Sequence, residues 1–598
     1  MATPSSRPGM GALPYASGTT FRVWAPDVPQ VTVAGTFNGW NDSFHELAHE
    51  GGGYWSTDVE GAQPGNEYRF VLKWPGGPPY WRMDPYSRQV TNSTGNSVIV
   101  DGSFDWGHSG FSTPPWRELV IYQLHPGTFN DYHPFDGRPA QFDATIEALP
   151  YLRDLGINAI KLLPAKEFAT DHSWGYNPSH IFAVESAYGG PHALKRFVRA
   201  AHQNGLAVIL DVVYNHFGPQ DLDDCLWRFN GWSENGKGGI YFYNDGRSWT
   251  PWGEKNRPDY GRPEVCQFVR DNALYWLEEY RLDGLRFDAT AYIRMVGDLG
   301  GDLPDGSSLM HWVNSEIRSR QPWKITIAED MRGNHAITQQ GGSGFGSQWD
   351  ADFVHPVRRV LTQPHDDGRD MNAIVASIYN RFNGDAFQRV IYTESHDEVG
   401  LKSGKRRLPV DIDSSHSGGY FAKKRSTLGA ALVITAPGIP MIFQGQEFME
   451  DIQFHDSYPL DWRKLKWFAG INLLYRDLIR LRRNWFNNTR GLRGQHVNVH
   501  HINHGDKVIA FHRWDAGGPG DDVIVVMNFG NRSWSGYRIG VPREGWWRVR
   551  FNSDSTLYSP DFVNCLVFDA HSEQSGADGM DHSIRMSIGP YACVILSQ

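Results

Sequence analysis

From Leu119 onward, short apolar runs alternate along the chain with longer amphipathic stretches. The runs VIYQLH and INAIKLLP flank an amphipathic stretch around Phe142 to Leu155, and another around His192 to Asn204 leads into LAVILDVVYNH. This order of strand, helix and strand is typical of a parallel sheet, whose strands are apolar throughout because helices cover both faces. Four later runs continue the pattern: GLRFDA from Gly284, KITIAED from Lys324, RVIYTES from Arg389 and GIPMIFQGQE from Gly438.

Eight such units over about 360 residues predict an α/β fold, a (β/α)8 TIM barrel with insertions, because a doubly wound sheet usually needs fewer strands. Short β-prone runs separated by Gly, Pro and Asn predict a β-sandwich before the barrel, and similar runs predict an antiparallel β-domain after it. The expected domains are an N-terminal β-sandwich at 1–110, a catalytic barrel at 111–485 and a C-terminal β-domain at 486–598. An insertion at 218–260, after the third strand, is expected to form a lobe beside the cleft.

Composition favours a neutral substrate. The formal net charge is -10 and no long Lys/Arg block occurs, so nothing in the charge pattern indicates a nucleic-acid or membrane partner. Aromatic residues make up 13% of the chain, with 23 Trp, and an exposed ring can stack on a sugar, although most aromatic side chains serve core packing.

The cysteines and the apolar segments predict a soluble, cytoplasmic protein. The chain start lacks the pattern of a secretory signal, and its most apolar stretch, Leu428 to Phe443, is interrupted by Pro437 and Pro440. No exposed heptad indicates an assembly, so a monomer is expected. The cysteines show no C-x-x-C spacing and are expected to be buried thiols: Cys225, Cys266, Cys565 and Cys593.

Charged side chains follow four of the predicted strands. In a barrel of this kind the active site lies at the carboxyl ends of the strands, so these side chains should meet at one mouth. One carboxylate at a strand end is more often a helix cap or an ion-pair partner, but a converging set indicates chemistry. The strand ends read Asp211-Val-Val-Tyr-Asn215-His216, Arg286-Phe-Asp288, Ala328-Glu329-Asp330 and Ser395-His396-Asp397-Glu398.

Paired carboxyl groups suit the cleavage of glycosides. One carboxyl group protonates the departing oxygen, while another attacks or stabilises the cationic anomeric carbon. The sequence has no G-x-S-x-G, G-x-x-x-x-G-K-[ST] or H-E-x-x-H motif that would indicate a different chemistry.

Four short motifs resemble those of the α-amylase superfamily of glycoside hydrolases and transglycosidases. They are DVVYNH (211–216), GLRFDA (284–289), IAED (327–330) and ESHDEV (394–399), in the order that the family shows. The N-terminal stretch FRVWAPDVPQVTVAGTFNGW resembles the carbohydrate-binding-like sandwich that precedes the barrel in branching, debranching and trehalose-releasing members. The resemblance therefore covers nearly the whole chain.

The resemblance implies a retaining double displacement on an α-glucan substrate. It places the nucleophile at Asp288, the general acid/base at Glu329 and the transition-state-stabilising carboxylate at Asp397. The same resemblance implies five substrate-binding residues: Arg286 holds the nucleophile ionised, Asp211 braces the site, and sugar contacts come from His216, His396 and Tyr176, the last by stacking.

No cofactor is required by this chemistry, and no metal site is predicted. Asn215 stands where several members bind a structural calcium ion, but the other ligands come from the variable insertion and stay unassigned.

The motifs resemble two branches of the superfamily. WGYNPSHIFAVESAYGGP and SHDEV are most similar to glycogen-branching enzymes, whereas VVYNHFGP and IAED are more similar to maltooligosyltrehalose trehalohydrolases. Branching enzymes usually carry Glu where Asp330 stands, and trehalohydrolases usually carry Gln-Asn where this chain has Glu394-Ser395. Branching-type transfer is the favoured hypothesis.

Two alternatives stay open at the level of sequence. One is hydrolysis, either of α-1,4-glucan or with release of trehalose, and the other is an inactive protein that only binds glucan. Within the N-terminal domain, Trp24 and Trp40 serve either glucan binding or core packing.

Overall fold

The computed structural model describes residues 2–108, 110–131, 137–297 and 300–598. Two antiparallel sheets form the N-terminal domain, in the strand orders β1-β2-β6-β5 and β4-β3-β7-β8, with β9 paired to β7. Phe21 packs against Tyr68 between the sheets, with ring centroids 5.0 Å apart, so the predicted sandwich is confirmed. The strands are β1 Gly11–Tyr15, β2 Gly18–Trp24, β3 Gln30–Gly35, β4 His45–Glu46, β5 Ala48–Gly51, β6 Tyr54–Glu60, β7 Glu67–Lys73, β8 Tyr80–Arg82 and β9 Ser97–Val98.

Eight parallel strands close into the predicted barrel, in the order β10-β11-β14-β15-β16-β17-β18-β19. A separate antiparallel hairpin, β12-β13, follows the second barrel strand. The strands of the middle region are β10 Ile121–Leu124, β11 Ala159–Leu162, β12 Lys166–Phe168, β13 Pro178–Val184, β14 Ala207–Val212, β15 Gly284–Phe287, β16 Ile325–Ala328, β17 Ser347–Trp349, β18 Arg389–Ile391 and β19 Ile439–Phe443.

Seven barrel strands coincide with the predicted apolar runs. The sixth strand, β17, has the sequence Ser-Gln-Trp, and because two of its three residues are polar it forms no apolar run.

Helices surround the barrel. The stretch from Phe142 to Leu155, expected as one helix, is two helices that meet at Ala148, because Pro150 has no N–H to donate and begins a new helix. The helices are α1 Pro126–Phe129, α2 Phe142–Glu147, α3 Leu149–Leu155, α4 Gly190–Gln203, α5 Pro263–Glu279, α6 Thr290–Arg294, α7 Pro304–Arg320, α8 Ala351–Thr362, α9 Met371–Tyr379, α10 Leu408–Ile412, α11 Tyr420–Thr435, α12 Arg463–Trp467 and α13 Ala469–Arg482.

The C-terminal domain is antiparallel, as predicted. Its main sheet has the order β20-β21-β22-β27-β24-β25, and β23 pairs with β26 beside it. The strands are β20 His496–Asn503, β21 Val508–Trp514, β22 Val523–Asn528, β23 Trp534–Val541, β24 Trp546–Asn552, β25 Ala570–His571, β26 His582–Ile588 and β27 Ala592–Ser597.

The insertion at 218–260 is mostly irregular and joins the N-terminal domain to the barrel. Arg82 donates to the carbonyl oxygens of Phe229 at 2.8 Å and Arg228 at 2.9 Å. Trp24 is buried and packs edge-on against Tyr241, with centroids 5.6 Å apart, so this tryptophan serves packing. Trp40 is half-buried and lies 6.3 Å from the ring of Trp81.

The four thiols are free. Cys225 and Cys593 are buried as predicted, but Cys266 and Cys565 are only half-buried, and for these two the prediction is wrong. Cys266 lies on α5, where its Sγ contacts the carbonyl oxygen of Tyr260 at 2.9 Å. Nowhere in the described ranges is a helix long and apolar enough to cross a membrane.

Candidate active site

The predicted site residues meet at one mouth of the barrel. Asp211 and Arg286 are the penultimate residues of β14 and β15, while Asp288 and Glu329 follow β15 and β16 directly. Asp397 lies in the loop beyond β18. Because the strands are parallel and in register, their carboxyl ends come together at the same face of the barrel.

One guanidinium connects three of the carboxylates. Arg286 is fully buried, and its Nη1 donates to Asp211 Oδ1 and to Asp288 Oδ1, both at 2.8 Å. Its Nη2 lies 2.7 Å from Glu329 Oε2. Asp288 and Glu329 are therefore held beside each other on the two ends of one planar cation.

One further donor orients each of the two carboxyl groups. Asn215 Nδ2 donates to Asp288 Oδ2 at 2.8 Å, on the opposite side from Arg286. Ala289 adopts a left-handed conformation with a φ of 41°, and its N–H donates to Glu329 Oε2 at 2.9 Å. A non-glycine residue in this region is strained, and such strain is characteristic of sites whose geometry is fixed by their surroundings.

The surroundings separate the two carboxyl groups electrostatically. Burial, with the nearby charges of Asp288 and Asp397, raises the pKa of Glu329 to about 8 against the lowering effect of Arg286. Burial also raises the pKa of Asp288, but Arg286 and Asn215 both favour its ionised form. Glu329 consequently keeps its proton at neutral pH, which suits a general acid, whereas Asp288 accepts hydrogen bonds from Arg286 and Asn215, which suits a nucleophilic carboxylate.

Asp397 lies nearer to solvent, with a side chain that is 43% exposed. Desolvation in the cleft and the charge of Asp288 raise its pKa to about 6, against the lowering effects of Arg286 and Lys161. Its Oδ2 lies 3.2 Å from His396 Nε2.

The two site histidines are neutral at physiological pH. Burial lowers the pKa of His216 to about 4 and holds the pKa of His396 well below its usual value. A neutral imidazole has one donor and one acceptor nitrogen; those of His216 lie against Asn215 Oδ1 and the carbonyl oxygen of Tyr176, and those of His396 can contact a sugar hydroxyl group.

Tyr176 lies between these groups. Its hydroxyl donates to Asp211 Oδ2 at 2.7 Å, and its carbonyl oxygen lies 2.8 Å from His216 Nε2. The ring is nearly parallel to that of His396, with centroids 5.0 Å apart and an interplanar angle of 12°. The structure thus brings all eight predicted site residues into one connected group.

Three further residues in the group escaped the sequence analysis. Lys161 donates to Asp211 Oδ2 from β11, Trp349 on β17 lies 4.3 Å below the guanidinium of Arg286, and Trp252 stacks on His216 at 5.0 Å. A lone charge inside the apolar run INAIKLLP was a usable signal for Lys161. Trp349 and Trp252 lie in a very short strand and an irregular insertion, which carry no such signal.

No metal site is assigned. Across the described ranges, no three side chains of His, Cys, Asp or Glu are grouped as metal ligands would be. Asn215 directs its amide nitrogen to Asp288, and its Oδ1 contacts His216 Nδ1.

Profiles of three domain families match the chain. Residues 9–87 match carbohydrate-binding module 48 (isoamylase N-terminal domain), and residues 123–224 match the α-amylase catalytic domain. Residues 499–598 match the α-amylase C-terminal all-β domain. The matches follow the order of the three structural regions.

Similar proteins span almost the whole chain. It is 31% identical to a 1,4-alpha-glucan branching enzyme GlgB of Rhodospirillum rubrum, over 98% of this chain and 81% of that protein. It is 33% identical to another GlgB branching enzyme, from Dechloromonas aromatica, over 92% of this chain and 90% of that protein. Among solved structures, a putative alpha amylase from Salmonella typhimurium is similar in fold, with a TM-score of 0.72 at 24% identity, covering 98% of this chain and 99% of that one.

Proposed function

Because the chain belongs to the 1,4-α-glucan branching enzymes of the α-amylase superfamily, we propose that it transfers segments of a glycogen- or starch-type glucan. It cleaves an α-1,4 bond and joins the freed segment to a 6-hydroxyl group of a glucan chain. The shared contact of Asp288 and Glu329 with Arg286 and the elevated pKa of Glu329 support the double displacement, and the relation to branching enzymes supports transfer to a 6-hydroxyl group.

The first half-reaction breaks the glycosidic bond. Asp288 attacks the anomeric carbon while Glu329 gives its proton to the departing oxygen, so that a covalent glucosyl ester forms as one glucan chain leaves. The contact of both carboxyl groups with one guanidinium supports the short carboxyl separation that retaining enzymes use for direct attack.

The second half-reaction forms the new bond. Glu329, now a carboxylate, takes the proton of an acceptor hydroxyl group as the oxygen of that group attacks the ester, and Asp288 is released with net retention. Asp397 stabilises the positive charge that develops on the sugar in both steps. Tyr176, His216 and His396 hold the sugar, and Asp211 braces Arg286.

The acceptor decides between transfer and hydrolysis. Water is abundant, so transfer requires a bound acceptor that competes through proximity and partial exclusion of water. The relation to branching enzymes supports a glucan acceptor.

The decisive experiment incubates the protein with amylose and follows new α-1,6 linkages and new reducing ends by proton NMR. We expect α-1,6 signals to rise with few reducing ends. Abundant reducing ends without α-1,6 signals would identify a hydrolase instead. The Glu329→Gln variant is the matched control, since turnover that survives in it would contradict the assignment of Glu329, and a wild type that binds glucan without turnover would be a binding protein.

The N-terminal domain is proposed to add a glucan-binding surface around Trp40 and Trp81, which are both half-buried. Substituting both with Ala should weaken retention in glycogen-containing gels, whereas unchanged retention would favour a packing role.

We further propose that the protein is a monomer of the cytoplasm. Four free thiols suit a reducing compartment. A mass in solution that does not change with concentration would support the monomer.

A further inference from the structure

Lys161 is a fully buried cation at the base of the cleft. It lies on β11 between Gln123 of β10 and Ile209 of β14, and its side chain is 1% exposed. Its Nζ donates to Asp211 Oδ2, and Asp211 is itself fully buried. A buried charged pair of this kind is costly to form unless both partners are well satisfied, so its presence needs a reason.

Asp211 is shared by three donors. Arg286 Nη1 donates to Oδ1 at 2.8 Å and to Oδ2 at 2.9 Å, while Lys161 and the Tyr176 hydroxyl also donate to Oδ2. Without Lys161, Arg286 would be the only cation bound to Asp211, and its one charge would have to compensate both Asp211 and Asp288.

We propose that Lys161 is a positioning residue for the reaction, which neutralises Asp211 and so leaves Arg286 available to keep Asp288 ionised and aligned. Burial lowers the pKa of Lys161 to about 8 against the raising effect of Asp211, so the side chain carries its charge at neutral pH. The charged or titratable groups facing it are Asp211 on β14, Arg286 on β15, Tyr176 beyond β12, and His396 and Asp397 beyond β18.

Loss of Lys161 should change the ionisation of the centre more than sugar binding. Without the lysine, the positive charge of Arg286 is compensated more by Asp211 and stabilises the other carboxylates less. The pKa values of Asp288 and Asp397 should therefore both rise. Because Asp288 must be ionised to attack, the acid side of the pH–rate profile moves to higher pH. The hydroxyl of Tyr176 keeps its acceptor on Asp211, so the binding of the sugar is largely retained.

The test uses Lys161→Met and an α-maltooligosyl fluoride as donor. Fluoride leaves with little need for a proton, so the acid limb of kcat/KM reports the nucleophile, and release of fluoride does not depend on which acceptor follows. The inference rests on the proposed double displacement, but a failure of branching in the amylose experiment would leave this measurement intact. In Lys161→Met we expect the apparent pKa of the acid limb to be higher by about one pH unit and kcat to be at least about tenfold lower. KM should change by less than about twofold.

Lys166→Met is the matched control. Lys166 is also fully buried, but it donates to Asn272 Oδ1 at 3.3 Å rather than to Asp211 and lies 4.2 Å from the ring of Tyr214. Burial holds its pKa well below the usual value against the raising effect of Asp211. Lys166→Met should leave the apparent pKa of the acid limb unchanged. A shift that is equal in both variants, or absent from Lys161→Met, would overturn the proposal.

Two further variants keep the proposal testable if Lys161→Met folds poorly. Lys161→Arg keeps the charge and should leave the acid limb at the wild-type pH. Adding Asp211→Asn to Lys161→Met removes the uncompensated carboxylate and should return the acid limb to the wild-type pH. A double variant whose acid limb matches that of Lys161→Met would show that Lys161 does not act through Asp211.

Discussion

Glu329 and Asp288 both contact Arg286, but the surroundings of Glu329 favour its protonated form and two hydrogen-bond donors favour the ionised form of Asp288. Asp288 accepts from Asn215 in addition to Arg286, whereas Glu329 is crowded by Asp288 and Asp397. Side chains of the same chemical type thus receive different tasks from their surroundings, as in other paired-carboxyl enzymes.

The first prediction concerns the alkaline limb of the rate. Glu329 must be protonated to assist the departing oxygen, and its pKa is about 8, so kcat/KM on amylose should fall as pH rises through about 8. A pH–rate profile between pH 5 and 10 measures this. Glycosylation by an α-maltooligosyl fluoride should lack the limb, because fluoride needs little proton assistance. A rate on amylose that stays constant to pH 9.5 would contradict the assignment.

The second prediction concerns stability. The pKa of Glu329 is raised from its usual 4.5 to about 8, so the folded protein binds the proton more tightly and loses stability as pH rises through this window. Glu329→Gln carries no charge and should unfold at the same temperature as wild type at pH 4.5, but be more stable by at least about 1 kcal/mol at pH 9. Calorimetry at both pH values tests this, with Glu60→Gln at an exposed position of β6 as control. An equal difference at both pH values would exclude the linkage.

At the scale of single elements, the hairpin β12-β13 carries Tyr176 into the site. Gly175 precedes Tyr176 with a φ of +91°, and a Cβ at this position would lie 2.3 Å from the carbonyl oxygen of Pro164. The turn can therefore be this tight only with glycine, and the direction of Tyr176 depends on it.

The third prediction follows from that contact. Gly175→Ala should displace the turn and lower kcat/KM at least about tenfold, because small displacements of a positioning group are costly in rate. Gly205→Ala is the matched control, since Gly205 also has a positive φ, +73°, but nothing lies within 4 Å of its added Cβ. Steady-state kinetics on amylose distinguish the two, and equal rates would show that Tyr176 does not depend on the turn.

At the scale of the whole molecule, a buried ion pair joins the barrel to the C-terminal domain. Lys424 on α11 and Asp554 of the C-terminal domain are both fully buried, with Nζ and Oδ1 2.6 Å apart. Asp554 also accepts from the N–H of Cys565 at 2.8 Å. The C-terminal domain is thereby tied to a helix of the barrel, far along the chain from the reaction centre.

The fourth prediction concerns this contact. Lys424→Met leaves Asp554 buried without a cation and should cost about 3 to 5 kcal/mol of unfolding free energy. The neighbouring Lys423 pairs with Asp561, whose side chain is 42% exposed, so Lys423→Met should cost no more than about 1 kcal/mol. Urea unfolding compares the two variants. Equal losses would mean that the buried pair contributes no more than the exposed one.

Local patterns in the sequence predicted the barrel and the strand ends at which charged residues meet, whereas the roles of the eight candidate site residues came from the resemblance to the α-amylase superfamily. Asp288 and Glu329 each follow an apolar run directly, and parallel strands necessarily bring such positions to one face. The exceptions have physical causes. Strand β17 has two polar residues out of three and so gives no apolar run, and the helix break at Pro150 lies inside a longer amphipathic pattern that continues across it.

The tertiary structure alone decided which of these groups touch and what charge they carry. Arg286 contacts three carboxyl groups, Lys161 also contacts Asp211, and Glu329 has a pKa of about 8. These properties depend on the distances between strands and on burial. These quantities arise from contacts between residues far apart in the chain, whereas strand and helix patterns depend on near neighbours. The sequence therefore determined the chemical groups and the face on which they meet, and the closed barrel determined their ionisation.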